Sequence, residues 1–132
     1  MKKTIVVFVI TAISTFFGAG LLAQDKDPVK KVLGNGTVVI NTTTLCENVD
    51  GFMGPTPVEI RILKDTIIDI IALPNEETPK YFYEASKIFK KWIGLTPAKA
   101  LEVKVDAVSG ATFSSEALID NVQAGLKKAV EK

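Results

Sequence analysis

A ten-residue stretch near the end of the chain, DAVSGATFSS from Asp106 to Ser115, holds the residues best suited to chemistry. It contains four hydroxyl side chains, one acid and one glycine, and it precedes an apolar run of helical period. At a helix start the first backbone amides lack intrahelical partners, and the helix macrodipole favours negative charge. The stretch therefore suits a phosphate group, although it has neither the Gly-Lys-Ser/Thr of a Walker loop nor the dinucleotide glycine fingerprint.

The hydroxyl groups of this stretch have no strong base beside them in the sequence. A serine or threonine nucleophile needs an activating base, and the 132-residue chain contains no histidine. Aspartates are weak bases near neutral pH, so Asp106 is a poor activator. The pattern favours a hydroxyl that another enzyme modifies over a hydroxyl that catalyses a reaction itself.

Length and composition narrow the classes of protein to which this chain can belong. The length fits one small domain. One cysteine, Cys46, and no histidine exclude an internal disulfide and leave no soft-metal spacing, so Cys46 is expected to be a buried free thiol. Sixteen basic and 15 acidic side chains are nearly balanced, which indicates no nucleic-acid partner.

The first 23 residues are typical of an export signal. Lys2 and Lys3 precede an uncharged apolar run over residues 4–23, with small residues before a cleavage position after Ala23. The alternative is an uncleaved membrane anchor, because the run is long enough to span a bilayer. Both interpretations predict an exported protein, periplasmic or otherwise extracytoplasmic. We expect a leader or linker with a short strand over residues 24–45 and a folded domain over residues 46–132.

The elements that must position the stretch begin with a sheet. Short strands are predicted at 37–40, 57–63 and 66–73, and the last two form a hairpin near the centre of an antiparallel sheet. Alternation predicts a further strand at 101–105, directly before the stretch.

Two helices complete the prediction. In residues 78–94, Phe82, Ala85, Phe89 and Trp92 recur at helical spacing, and we assign them to the core. A final helix is predicted over residues 115–131, with an apolar stripe that begins at Leu118. The expected fold class is α+β, a small antiparallel sheet with helices packed on it.

The stretch also resembles a known sequence motif. Asp106-Ala107-Val108-Ser109-Gly110-Ala111-Thr112 is similar to the flavinylation motif D-x-x-S/T-G-A-T of FMN-binding domains. These domains include the C subunit of sodium-pumping NADH:quinone reductase and the G subunit of the related electron-transport complex. The resemblance implies that Thr112 carries FMN through a phosphoester bond. It also implies that an FAD-dependent FMN transferase of the ApbE type attaches the flavin outside the cytoplasm.

The resemblance extends over roughly residues 46–130. DGFMGPTPVEIRI, from Asp50 to Ile62, looks like the Gly-rich loop and first hairpin of the family. NEETPKYFYEASKIF is similar to the family's E-T-P segment and the helix that borders the flavin. The family usually continues that segment with Gly-Leu-Gly, whereas Lys80 and Tyr81 follow Pro79 here.

The resemblance also suggests roles for the neighbouring residues. Asp106 orients the loop or is recognised by the transferase, unless it only caps a turn, and Ser109 shapes the turn or bonds the phosphate. Gly110 permits an unusual backbone angle, and Ala111 keeps bulk low beside the ligand. The candidate flavin contacts are Glu77, Thr78, Pro79, Phe113, Ser114 and Ser115. Helix capping alone also explains Thr78 and Pro79, and Phe113 packs either on the flavin or in the core.

The function implied is that of an exported flavoprotein that carries electrons between other proteins. Its redox partners would include proteins such as a membrane electron-transport complex, and no catalytic residue or metal site is expected in the chain. The alternative is a secreted α+β module that holds FMN non-covalently or not at all.

Overall fold

A computed structural model describes residues 28–131. The predicted export signal or anchor at residues 1–23 lies outside these described residues. Within residues 28–131, the structure contains no helix long and apolar enough to cross a membrane.

The sheet has four antiparallel strands in the order of the chain. They are β1 at Lys30–Val32, β2 at Val38–Asn41, β3 at Val58–Leu63 and β4 at Thr66–Ala72. The strongest alternation is in β3, where every second residue is buried. The predicted hairpin is confirmed, but of its two strands only β3 is internal to the sheet, since β4 forms an edge.

A two-residue turn sets the register of that hairpin. Lys64 and Asp65 have φ angles of 51° and 62°, as the tight turns that match strand twist require. A shift in register farther along the hairpin, between Arg61 and Ile62, then places Ile60 opposite Ile70 in β4, and Ile60 pairs with Ile40 in β2. All three isoleucines are buried and form the sheet side of the core.

Residues 28–131 contain three α-helices, of which the last packs on the sheet and the other two pack on that last helix. They are α1 at Pro79–Ser86, α2 at Pro97–Glu102 and α3 at Thr112–Val130, and a 3₁₀ turn at Lys87–Lys91 continues α1. Helix α3 places Leu118, Val122 and Leu126 against the strands with no exposed surface. These observations confirm the α+β class.

A glycine brings α3 close to the sheet. A Cβ atom at Gly125 would lie 2.7 Å from Cδ1 of Ile60 and 3.0 Å from Cγ2 of Thr42. A larger residue at this position would therefore require the Ile60 and Thr42 side chains to shift. Since α3 is held so closely along its middle, its first turn has a fixed position at one end of the sheet.

Two further predictions of secondary structure were wrong or incomplete. The strand predicted at 101–105 is absent, because Pro97 and the Thr96 side chain, which accepts from the Lys99 N–H, begin helix α2. The alternation in 103–105 reflects partial burial on the core without strand pairing. The interpretation of residues 24–36 as a linker missed β1, which pairs with β2.

The final helix begins at Thr112, three residues before the predicted start. Thr112 is thus the first residue of a helix and not a loop residue. The prediction that one face of residues 78–94 lies in the core is confirmed, because Ala85, Phe89 and Trp92 are buried and Phe82 packs against the same core.

Candidate functional site

The loop before α3 is fixed by a turn and by a buried serine. Residues 108–111 form a turn closed by the Ala111 N–H and the Val108 carbonyl at 2.9 Å. Gly110 occupies this turn at φ 86°, a conformation that favours glycine. The Ser115 hydroxyl accepts from the Val108 N–H at 2.9 Å and donates to the Ala111 carbonyl at 2.8 Å. These bonds hold the loop against the helix that follows it.

Thr112 lies exposed at the point where this loop becomes helix α3. The first i→i−4 bond at this end joins the Ser115 N–H to the Ala111 carbonyl at 2.9 Å. The amides of Thr112, Phe113 and Ser114 precede that bond, at the positive end of the dipole of a 19-residue helix. The position therefore favours a phosphate or another anion.

A cleft of about 330 Å³ opens beside Thr112. This volume lies at the lower end of the range for small-molecule sites. Its lining comes from the Gly-rich loop, the start of α1 and the start of α3, and consists of Phe52, Thr78, Tyr81, Gly110, Ala111, Thr112, Phe113 and Ser114.

Exposed aromatic side chains form the walls of the cleft. The rings of Phe52 and Phe113 stack with centroids 6.2 Å apart and planes inclined by 26°. Phe52, Phe113 and Tyr81 remain 67%, 62% and 50% exposed. Large exposed apolar side chains gathered around one concavity mark a binding site, because monomers seldom leave such surface to water. A flat aromatic ligand would cover this surface.

Glu77 lies buried beneath the cleft and ties its walls together. Its carboxylate accepts hydrogen bonds from the backbone N–H groups of Phe52 and Met53 and from the Ser114 hydroxyl. Burial raises the pKa of Glu77, but the bonds from Ser114, Met53, Phe52 and Gly54 outweigh it and hold the pKa below the ordinary 4.5. The carboxylate therefore stays ionised at neutral pH and anchors the Gly-rich loop to α3.

The Gly-rich loop approaches this carboxylate too closely for any side chain at Gly51. A Cβ atom there would lie 2.6 Å from Oε1 of Glu77 and 3.2 Å from Cγ2 of Thr56. Glycine at this position lets the loop close over the acid. The loop is closed further by the bond from the Gly51 N–H to the Gly54 carbonyl at 2.7 Å.

The predicted site residues fall into three groups in the structure. Thr78, Phe113 and Ser114 line the cleft together with Gly110, Ala111 and Thr112. The second group supports the cleft from below or begins an adjoining helix, and it consists of Glu77, Ser115 and Pro79. Asp106 and Ser109 are exposed, and Asp106 lines a neighbouring groove in place of the cleft.

Two predictions about individual side chains are resolved by this geometry. Phe113 is exposed in the cleft wall and does not pack in the core. Thr78 occupies the residue before α1 without a side-chain capping bond, although Pro79 begins the helix as predicted.

The sequence prediction missed Phe52 and Tyr81, which provide two of the three aromatic walls. Phe52 gave a signal, since a phenylalanine and a methionine inside a Gly- and Pro-rich loop have no core to enter. Tyr81 was missed because it lies four residues before Ala85, and this helical spacing predicts that both side chains lie on the buried face of α1. Its exposure depends on where α1 begins, and the sequence does not define that beginning well enough.

The comparison with protein families identifies the family of the chain. The sequence model of the family described as FMN-binding domain matches residues 51–127. The chain belongs to the FMN-binding domain family. The matched span contains every residue that lines the cleft, and FMN is its cofactor. No curated protein matches the chain.

The residues present fit FMN at both ends of the molecule. The isoalloxazine is a flat aromatic group, and the cleft of this FMN-binding domain offers Phe52, Tyr81 and Phe113 as its walls. The phosphate is an anion, and the first turn of α3 offers backbone amides and low side-chain bulk at Gly110 and Ala111. Aromatic walls and an anion-favouring helix end therefore meet in one cleft.

Proposed function

We propose that this FMN-binding domain is an exported electron carrier that holds FMN covalently, through a phosphoester on the Thr112 hydroxyl. Bound FMN supplies the redox chemistry, since the flavin accepts and releases one or two electrons together with protons. The chain's own residues would bind and orient the FMN and would leave one edge of the flavin exposed to other proteins. Export and covalent attachment together explain how a domain outside the cytoplasm retains a cofactor that it cannot replace from a cellular pool.

The position of Thr112 among the four hydroxyl residues of the loop carries the proposal. Ser114 and Ser115 are buried, and their hydroxyls are engaged with Glu77 and with loop carbonyls. Ser109 is exposed but lies outside the cleft lining. Among these four, Thr112 alone is both exposed and part of the cleft, so its hydroxyl is accessible to a modifying enzyme and adjoins the flavin site.

The attachment reaction requires a separate transferase, because the chain brings no strong base to Thr112. The transferase would break the pyrophosphate of FAD and form a bond between the FMN phosphorus and Oγ of Thr112. AMP leaves, and the hydroxyl proton passes to a base of the transferase. The product phosphate would lie against the amides of the first turn of α3, which favour its charge.

The second candidate function is an electron carrier with FMN held only by non-covalent contacts. The open aromatic cleft favours it, because stacking on Phe52, Tyr81 and Phe113 contributes affinity without a covalent bond. The two candidates differ in whether the flavin survives unfolding of the chain.

Denaturing gel electrophoresis with detection of flavin fluorescence distinguishes the two. The protein would be exported from cells that also make an FMN transferase, alongside Thr112→Ala and the matched control Thr44→Ala, at an exposed threonine outside the motif. Covalent attachment predicts fluorescence for the wild type and Thr44→Ala and none for Thr112→Ala. A yellow native protein whose wild-type band is dark in the gel, with the transferase active on a control substrate, would support the non-covalent carrier instead.

A further inference from the structure

The charges of this domain are unevenly distributed along the chain. Residues 28–131 carry 12 basic and 13 acidic side chains. The segment 80–104 contains six lysines and two glutamates, a net charge of +4. The other described residues contain six basic and 11 acidic side chains, a net charge of −5. One part of the domain is therefore strongly basic on a background that is acidic.

The fold concentrates this basic charge in a groove of about 300 Å³. We call it the lysine groove. It is lined by Lys87, Lys90, Lys91 and Lys104, with Ile88, Val105, Asp106 and Val108. One wall is the 3₁₀ turn, and the other is the segment that leads into the loop before α3.

Most of the ammonium groups in the lysine groove are not neutralised. Lys87 pairs with Glu84 at 3.1 Å on the rim. Lys90, Lys91 and Lys104 form no salt bridge within the described part of the chain. Asp106 is the one acid in the lining, so the groove keeps a positive field. Such a field attracts an acidic surface and speeds its approach.

The lysine groove adjoins the flavin cleft. The same two chain segments form both sites, since α1 carries Tyr81 into the cleft and continues into the 3₁₀ turn of the groove. On the other wall, Asp106 in the groove and Thr112 in the cleft are six residues apart, at most about 20 Å of extended chain. A protein interface of ordinary size buries about 800 Å² on each partner, enough to cover both sites together.

We propose that the lysine groove docks an acidic face of the protein that exchanges electrons with the flavin. The proposal rests on the electron-carrier function above. The partly exposed apolar side chain of Val105 between the lysines, and the concave shape, fit a protein surface better than the plane of lipid headgroups. With a partner that accepts single electrons, fully reduced FMN held in the cleft would supply one electron to each of two partner molecules and would release two protons to solvent.

The first test measures binding without any flavin. The probe is the soluble, acidic domain of cytochrome b5, titrated with flavin-free protein at low and physiological ionic strength (about 0.01 M and 0.15 M). The groove variant is Lys90→Glu with Lys104→Glu, one change in each wall. The control variant, Lys31→Glu with Lys127→Glu, changes net charge equally at exposed positions away from the groove.

We expect the groove variant to bind the acidic probe about tenfold more weakly at low ionic strength, and the control variant about twofold or less. Equal losses in both variants would show that only net charge matters and would overturn the proposal. So would unchanged probe binding with a loss of binding to phosphatidylglycerol vesicles in the groove variant, since the groove would then serve a membrane surface. Retained thermal unfolding temperatures verify that both variants are folded.

The second test measures electron transfer from the reduced flavoprotein to ferric haem. We expect the second-order rate constant for acidic cytochrome b5 to fall about tenfold in the groove variant, and that for basic cytochrome c to rise. Unchanged rate constants for both haem proteins would contradict docking at the groove. A chain that never receives FMN fails the electron-carrier proposal but still gives a result in the binding test.

Discussion

Two apolar surfaces meet helix α3, and only one of them is closed. Along the middle of the helix, Leu118 and Val122 have no exposed surface and pack on the sheet. At its first turn, Phe113 is 62% exposed and stacks on Phe52, which is itself 67% exposed. The core is therefore complete without a ligand, whereas the cleft presents an apolar surface that a bound flavin would cover.

The largest expected effect lies in the closed surface. Leu118→Ala removes a fully buried side chain and should lower the free energy of unfolding by about 2–5 kcal/mol, because a cavity remains between α3 and the sheet. Chemical denaturation measures this change. A loss well below 1 kcal/mol would show that α3 is not packed on the strands as described.

Glu77 lies between the two surfaces, and we expect its substitution to have an intermediate effect on the free energy of unfolding. Glu77→Gln replaces a carboxylate that accepts from Ser114 and two backbone amides, and we expect a loss of about 1–3 kcal/mol. The matched control is the exposed neighbour Glu76→Gln, which should change the free energy of unfolding by less than about 0.5 kcal/mol. Equal effects of the two substitutions would contradict the anchoring role.

The contribution of Glu77 should also depend on pH in a defined direction. Because the folded-state pKa lies below the ordinary 4.5, the ionised carboxylate stabilises the fold fully above that value. This stabilisation is lost as pH falls through the folded-state pKa. The difference between wild type and Glu77→Gln in the free energy of unfolding should therefore shrink in acid, and a difference that grew there would reverse the assignment.

Gly110→Ala should have a smaller effect, of about 1 kcal/mol. The cost comes from the φ of 86°, since no atom lies within 4 Å of a Cβ placed there. The measurement is the thermal unfolding temperature, with Gly34→Ala as a control at a glycine that also has open space around it and no unusual φ. Equal shifts in the two variants would exclude backbone strain at Gly110 as the reason for glycine in the motif.

The smallest effect on stability is expected in the open surface. Phe113→Ala should change the free energy of unfolding by less than about 0.5 kcal/mol, because the side chain is mostly exposed. The same substitution should alter the visible spectrum of the flavin, since one aromatic wall is lost. An unchanged spectrum together with a large loss of stability would mean that Phe113 belongs to the core after all.

The sequence predicted the parts of this molecule that follow from local pattern. Strand β3 follows from its alternation, its hairpin with β4 from the two polar residues Lys64 and Asp65, and helix α3 from its apolar stripe. The structure contains all three. The strand predicted at 101–105 failed because alternation reports burial, and burial does not require a pairing strand. The early start of α3 at Thr112 was missed because Ala111, before the helix, offers no capping side chain to mark it.

The sequence predicted only the part of the site that lies within one continuous segment. The loop from Asp106 to Ser115 was identified, since its residue types and spacing are contiguous. The contacts of Glu77 with Phe52, Met53 and Ser114 join segments that are 24 to 37 residues apart. Such contacts depend on how the Gly-rich loop, α1 and α3 converge, and no local pattern encodes that convergence.

Covalent attachment is tested most directly by the intact mass of the exported protein, produced together with an active FMN transferase, followed by peptide mapping. We expect an increase equal to FMN less one water, located on Thr112 and absent from Thr112→Ala. An unmodified mass, with the transferase shown to be active on a control substrate, would contradict covalent attachment. A modification mapped to Ser109, Ser114 or Ser115 would contradict the assignment of Thr112.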